Sequence, residues 1–179
     1  MKFRLCLSVL LSTMLLSATL VSCTLSTNET IPLASFTKNY VTVSISLERD
    51  SAGEYFLSGT FVPPEGYHLY SKDVPLTGVN GLGRPTLLEL TEESEIIAIG
   101  RLTESVEANE PDFEPKELLV YPAGTVTLNL PIQLPPGNHW MDEEIKITYM
   151  ACSASQCKLP VVGEIVPVHI PGENVFGHP

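Results

Sequence analysis

Residues 40–47 read YVTVSISL. Val41, Val43, Ile45 and Leu47 alternate with Thr42, Ser44 and Ser46. A period of two is that of a β-strand with one dry and one wet face, because successive side chains point to opposite sides. The same period recurs outward from this stretch. EYFLSGTFV (54–62) follows after the turn-rich RDSAG. TVTLNLPIQL (125–134) sets Val126, Leu128, Leu130, Ile132 and Leu134 on one side. Pro131 within it has no N–H to donate, which predicts an edge strand or a bulge there. EEIKITY (143–149) opposes Ile145, Ile147 and Tyr149 to Lys146 and Thr148, and EIVPVHI (164–170) turns Val166, Val168 and Ile170 inward. RPTLLEL (84–90) and EIIAIGRL (95–102) are weaker strand candidates.

Between these runs lie PPEG, NGLGRP, ANEPDFEP, YPAG and LPPGN. Pro and Gly break the chain at short intervals, and no long stretch beyond residue 22 has the three-to-four-residue period of an amphipathic helix. The expectation is an all-β domain, a sandwich before a barrel. GVNGLGRP (78–85) has glycines but no helix to follow, so it reads as a turn rather than a phosphate loop. Residues 103–117, TESVEANEPDFEPKE, form the one connection too long for a hairpin. Such a loop is either a lid or a surface excursion.

The chain opens MKFRLCLSVLLSTMLLSATLVSCTLST. Lys2 and Arg4 precede an uncharged apolar stretch, the order of a secretory leader. LVSC (20–23) resembles a bacterial lipobox, which implies cleavage before Cys23 and a lipid on its thiol. The expected organisation is a leader over 1–22, a polar tether over 23–35, the sandwich over 36–172 and a tail over 173–179. The expected location is extracytoplasmic, membrane-anchored through Cys23. Net charge is −11, and removal of the leader takes away two positive charges and no negative one. A chain this acidic lacks the basic face that phosphate binding requires, so nucleic acid is not an expected partner.

With Cys6 in the leader and Cys23 lipidated, only Cys152 and Cys157 belong to the folded part, within YMACSASQCKLP (149–160). Outside the cytoplasm a proximal pair is most simply a disulfide. Tyr149 ends a strand and Pro160 stops extension before the next, so the pair brackets a hairpin-like loop. A bridge across so few residues constrains the unfolded chain little. A short, exposed bridge is also the kind that is easily reduced. Three readings stand on these residues: a redox pair, a structural clip, or thiols for a metal. Zinc needs two further ligands, and His68 and His139 lack ligand spacing. Soft ligation of copper would draw on Met141, Met150, His139 and the reduced cysteines. No metal or cofactor is expected.

YMACSASQCKLP resembles the cysteine signature of the periplasmic N-terminal domain of the thiol:disulfide interchange protein DsbD, a family also described as disulfide bond correctors. PPEGYHLYSKDVP (63–75) is similar to the family's aromatic strand beside the cysteines. EPDFEPKELLVYPAGTVTLNLPIQL (110–134) is similar to its cap loop and following strand. The three segments keep the family's order over about residues 36–170. The resemblance implies an immunoglobulin-like sandwich with an inserted cysteine hairpin. It implies that Cys152 and Cys157 are a redox pair, with Cys157 the first to be attacked. It sets His68 and Tyr70 beside the pair and makes Phe113 the cap-loop aromatic over the sulfurs. Implied partners are thioredoxin-like oxidoreductases, or a membrane electron transporter, since the family's membrane-spanning and thioredoxin-like domains are not in this chain. The spacing between the cysteines is one residue shorter than in well-known members, and Lys158, Leu159 and a single Pro160 follow. Lys158 could favour a thiolate at Cys157, against the acidity of the whole chain. The plainer reading is a lipid-anchored binding module of immunoglobulin type with a purely structural disulfide.

Overall fold

The computed structural model describes residues 29–175. The leader, Cys23, the first part of the tether and residues 176–179 lie outside them. The described chain is an all-β sandwich of antiparallel sheets. In chain order the strands are β1 (Glu29–Lys38), β2 (Val41–Arg49), β3 (Tyr55–Val62), β4 (His68–Leu69), β5 (Leu87–Leu90), β6 (Ile97–Ala98), β7 (Thr103–Glu104), β8 (Val126–Gln133), β9 (Trp140–Tyr149), β10 (Ala151–Cys152) and β11 (Val161–Pro171). One sheet runs β1-β2-β3-β8-β6, with β7 also on β8; the other runs β11-β9-β5. A two-stranded ribbon, β10-β4, stands apart from both.

The alternation does what the pattern predicts. Val41, Val43, Ile45 and Leu47 are all buried, as are Leu57, Phe61, Val126, Leu128, Leu130 and Ile132 from the same sheet. They meet Leu88, Ile145, Ile147, Tyr149, Val166, Val168 and Ile170 of the other sheet in one core. Phe61 and Tyr149 make an edge-to-face pair at 5.8 Å, a favoured aromatic geometry. On the wet face, side chains of opposing strands pair: Ser35 with Ser44, Thr37 with Thr42, Thr60 with Thr127, and Ser58 donates to Asn129 at 2.7 Å.

Three expectations are corrected. Residues 29–35 are not tether but the first part of β1, which pairs with β2 from Glu29↔Arg49 to Lys38↔Val41. The register shifts between Pro32 and Ala34, so Leu33 is an extra residue. Ile31 and Leu33, then Ala34 and Phe36, pack on the core. A bulge moves the dry set by one position and hides the period of two. At the other end, residues 173–175 are tied down rather than trailing. Glu173 N–H donates to Pro135 O and Asn174 N–H to Gly137 O.

The third correction concerns Pro131. β8 is neither at the edge nor bulged at Pro131, where the β3 register runs without a break through Phe56↔Pro131. On its far side β8 meets two short strands, β6 at Ile132–Gln133 and β7 at Leu128–Asn129. Pro131 sits at the break between them, where its carbonyl accepts from Ile99 N–H at 3.0 Å. No donor is needed there. A Cβ on Gly100 would stand 2.9 Å from the Pro131 ring, so only glycine lets the chain cross that ring closely. EIIAIGRL accordingly shrinks to the two residues of β6.

Candidate functional site at the cysteine hairpin

Tyr149 ends β9 with its hydroxyl donating to Lys38 O at 2.8 Å. Burial pushes that phenol up to about 12. The chain then leaves the sheet as β10 and turns through Ser153–Ala154–Ser155–Gln156. Ser153 N–H donates to Gln156 O and Lys158 N–H to Ala151 O, both at 2.8 Å. Cys152 and Cys157 lie between these two bonds. They are therefore a non-hydrogen-bonded pair of an antiparallel ladder, the close kind, with Cα atoms typically about 4.5 Å apart. Here the separation is 4.0 Å and the sulfurs are joined. Ser153 Oγ completes the turn, accepting from Gln156 N–H and donating to Gln156 O.

The two halves of the bridge differ in access. Cys152 is 2% exposed and packs with Tyr70, Val74 and Leu118 in a small cluster separate from the main core. Cys157 is exposed. Of the two residues, Cys157 is the one open to solvent.

β10 pairs with β4, Cys152 opposite His68 and Ala151 opposite Leu69. Leu69 points into the core while His68 and Tyr70, two apart, face the cysteines. Their rings meet edge-on at 5.4 Å. Phe113 stacks on His68 at 6.0 Å, with the planes 26° apart. All three residues line one cavity of about 510 Å³ together with Cys152 and Cys157.

The long loop is closed at its base and reaches the cavity through Phe113 and Glu114. Asn109 and Val120 exchange both backbone hydrogen bonds, at 2.8 and 2.9 Å, and close its neck. The neck is bonded to the strand that carries the aromatic pair: Ser71 N–H donates to Leu119 O and Tyr121 N–H to Leu69 O, each at 2.9 Å. Lys72, next in that segment, bonds Asp73 at 2.8 Å and lies 3.3 Å from Glu104 at the base of the loop. Lys116 Nζ donates to Pro111 O at 2.8 Å within the loop itself. Between neck and tip, Leu118 reaches down against Tyr70.

Sequence reasoning missed the opposite wall. Gly81, Leu82, Gly83 and Arg84 line the cavity, within the stretch read only as a turn. Gly83 has φ +70°, and a Cβ there would lie 2.6 Å from Leu118 and 3.2 Å from the Tyr70 ring. Arg84 Nη1 bonds the carbonyls of Thr77, Gly81 and Gly83, tying the segment into a fixed wall. The only signal was three glycines and an arginine within seven residues, and that pattern has no specific reading.

Burial lowers the His68 pKa below its ordinary value and raises that of Tyr70. His68 Nε2 is buried with no hydrogen-bond partner. Lys158 is not a partner for the sulfurs. Its ammonium sits over the rings of Tyr40 and Tyr67, at 4.3 and 5.0 Å, as alternation along an extended chain requires of a neighbour of Cys157. The copper ligand set is not assembled either. Met141 lies near the start of β9 and Met150 just past its end, about 30 Å apart at about 3.4 Å per residue, with His139 at the Met141 end. Among the described residues no group of His, Cys, Asp and Glu is gathered for a metal. Compared with protein-family models, curated proteins and solved structures, the chain matches none.

Proposed function

We propose that the chain is a lipid-anchored, extracytoplasmic relay domain that passes electrons by thiol–disulfide exchange through Cys152 and Cys157. One observation carries the reading: a disulfide between an exposed and a buried cysteine, on the wall of an apolar cavity that His68, Tyr70 and Phe113 also line. Exchange runs by attack of a thiolate on one sulfur and departure of the other. An incoming thiolate attacks Cys157 Sγ, the bond to Cys152 Sγ breaks, and Cys152 leaves as a thiolate. The partner is then joined to Cys157. A second thiol on the partner attacks the partner's own sulfur in that bridge and releases Cys157 as a thiolate. The domain ends as a dithiol and the partner as a disulfide; the reverse sequence hands the two electrons on. His68, across the strand pair from Cys152 and with its pKa lowered by burial, is suited in the reverse direction to take the proton of the Cys152 thiol as the bond re-forms; in the forward direction solvent protonates the departing thiolate. Partners on this reading are thioredoxin-like oxidoreductases or a membrane electron transporter, with Cys23 as the lipid anchor.

The test is a trap. Cys152→Ala leaves Cys157 able to hold a partner and unable to release it. Mixed with a thioredoxin that lacks its resolving cysteine, with its remaining thiol activated, this variant is expected to form a mixed disulfide within minutes. Cys157→Ala should form it at least about tenfold more slowly, because a buried sulfur is inaccessible to attack. Equal and negligible trapping by both would favour a binding module whose disulfide only closes a loop.

A further inference from the structure

The cavity is lined by both cysteines, the exposed Cys157 among them, together with Leu82, Phe113, Met150 and Pro160. Leu82 and Phe113 are 53% and 42% exposed, and Leu159, two residues past Cys157, is 76% exposed. Large apolar surface around a reactive group marks a contact that is covered when the group works. The loop beside it carries an excess of acid. Glu107, Glu110, Asp112, Glu114 and Glu117 belong to the loop whose tip is Phe113, and none of them forms an ion pair among the described residues. The nearby cations are engaged: Lys158 by two rings, Arg84 by three carbonyls, Lys116 by Pro111 O.

Building on the exchange reading above, we infer that this groove takes a protein segment whose cysteine is preceded or followed by an apolar residue and flanked by basic ones. The apolar side chain enters the cavity beside Cys157, and the lysines or arginines meet the acids of the cap loop. Complementary charge of this kind acts mainly on the rate of encounter and on the choice of partner.

The experiment uses the oxidised protein and three short peptide thiols. Two have cysteine beside leucine and differ in their flanks, two lysines in one and two glutamates in the other; the third is the lysine peptide with glycine for leucine. Each peptide thiolate attacks Cys157 Sγ and releases Cys152 as a thiolate, and the rate of mixed-disulfide formation is read by mass. At about 0.01 M ionic strength, where charges reach about 30 Å, the lysine–leucine peptide should react at least about tenfold faster than the glutamate one. Near 1 M, where the reach falls to about 3 Å, the ratio should approach one. Glycine for leucine should slow the reaction at least about tenfold, since even one methylene in an apolar pocket is worth about tenfold. Flanking charge also alters the thiol of the peptide itself, so the deciding comparison is with a variant carrying E110Q, D112N, E114Q and E117Q. The inference requires the low-salt preference to shrink at least about fivefold in that variant, with its circular dichroism unchanged. A preference that persists in the variant, or three equal rates, overturns the inference while leaving exchange at Cys157 intact. No reaction with any peptide overturns both.

Discussion

At the scale of single residues, the site is defined by an inequality between two cysteines one hairpin apart. Cys152 is held by packing with Tyr70 and Leu118, and Cys157 is left to solvent. His68 is the titratable ring in this arrangement, and its burial has a thermodynamic sign. Its folded pKa lies below the ordinary value of about 6.5, so just below that pH the unfolded chain binds the proton more readily. The contribution is intact above that pH and is lost as pH falls through the folded pKa. His68→Phe keeps a ring against Phe113 and removes the titration. Denaturant unfolding from pH 7.5 to pH 5 should therefore show the native chain losing stability relative to the variant; a constant difference between them would contradict this. The pair of cysteines and the two-residue spacing of His68 and Tyr70 were legible in the sequence, the first from composition and the second from strand alternation. The nearness of Phe113 was not. A residue on an irregular loop has no period to declare where it points, and only the resemblance to a known family singled it out.

At the scale of elements, the long strands announced themselves and the short ones did not. β2, β8 and β9, and β11 from Glu164 to Ile170, keep a period of two, and their apolar dry residues make up most of the core. β4, β6, β7 and β10 have two residues each, too few for any period. β1 is long, and its bulge at Leu33 concealed it. This has a measurable consequence. Removing residues 29–35, which the pattern alone assigns to the tether, takes Ile31 and Leu33 off the core and strips the outer partner from β2. At about 1.5–3 kcal/mol for a fully buried side chain, and with these two only partly covered, the loss should be about 3 kcal/mol by chemical denaturation. A change within about 0.5 kcal/mol would mean that β1 is dispensable. The cap loop belongs to the same scale. Its neck is fixed by backbone bonds, and at its tip Phe113 stacks on His68 across the cavity that the cysteines also line. Phe113→Ala should speed reduction by dithiothreitol about tenfold and cost at most about 1.5 kcal/mol, the range of an aromatic pair. An unchanged rate would show that Phe113 does not cover the bridge.

At the scale of the whole molecule, the sandwich and the disulfide hairpin are separate packing problems. The main core is made by facing sheets, whereas Cys152 lies in a satellite cluster beside the β10-β4 ribbon and Cys157 is exposed. A bridge enclosing so short a loop contributes only about 2 kcal/mol by chain entropy. The fold can therefore survive opening of the bond, which a relay requires and a structural staple does not. The central claim is tested most directly by the reduction potential of the Cys152–Cys157 bond, measured by equilibration against glutathione and dithiothreitol couples with the two thiols counted by mass. The relay account predicts a value between about −270 and about −120 mV, the span of proteins that trade disulfides. A value below about −300 mV, where structural disulfides resist the thiol pool, would contradict it.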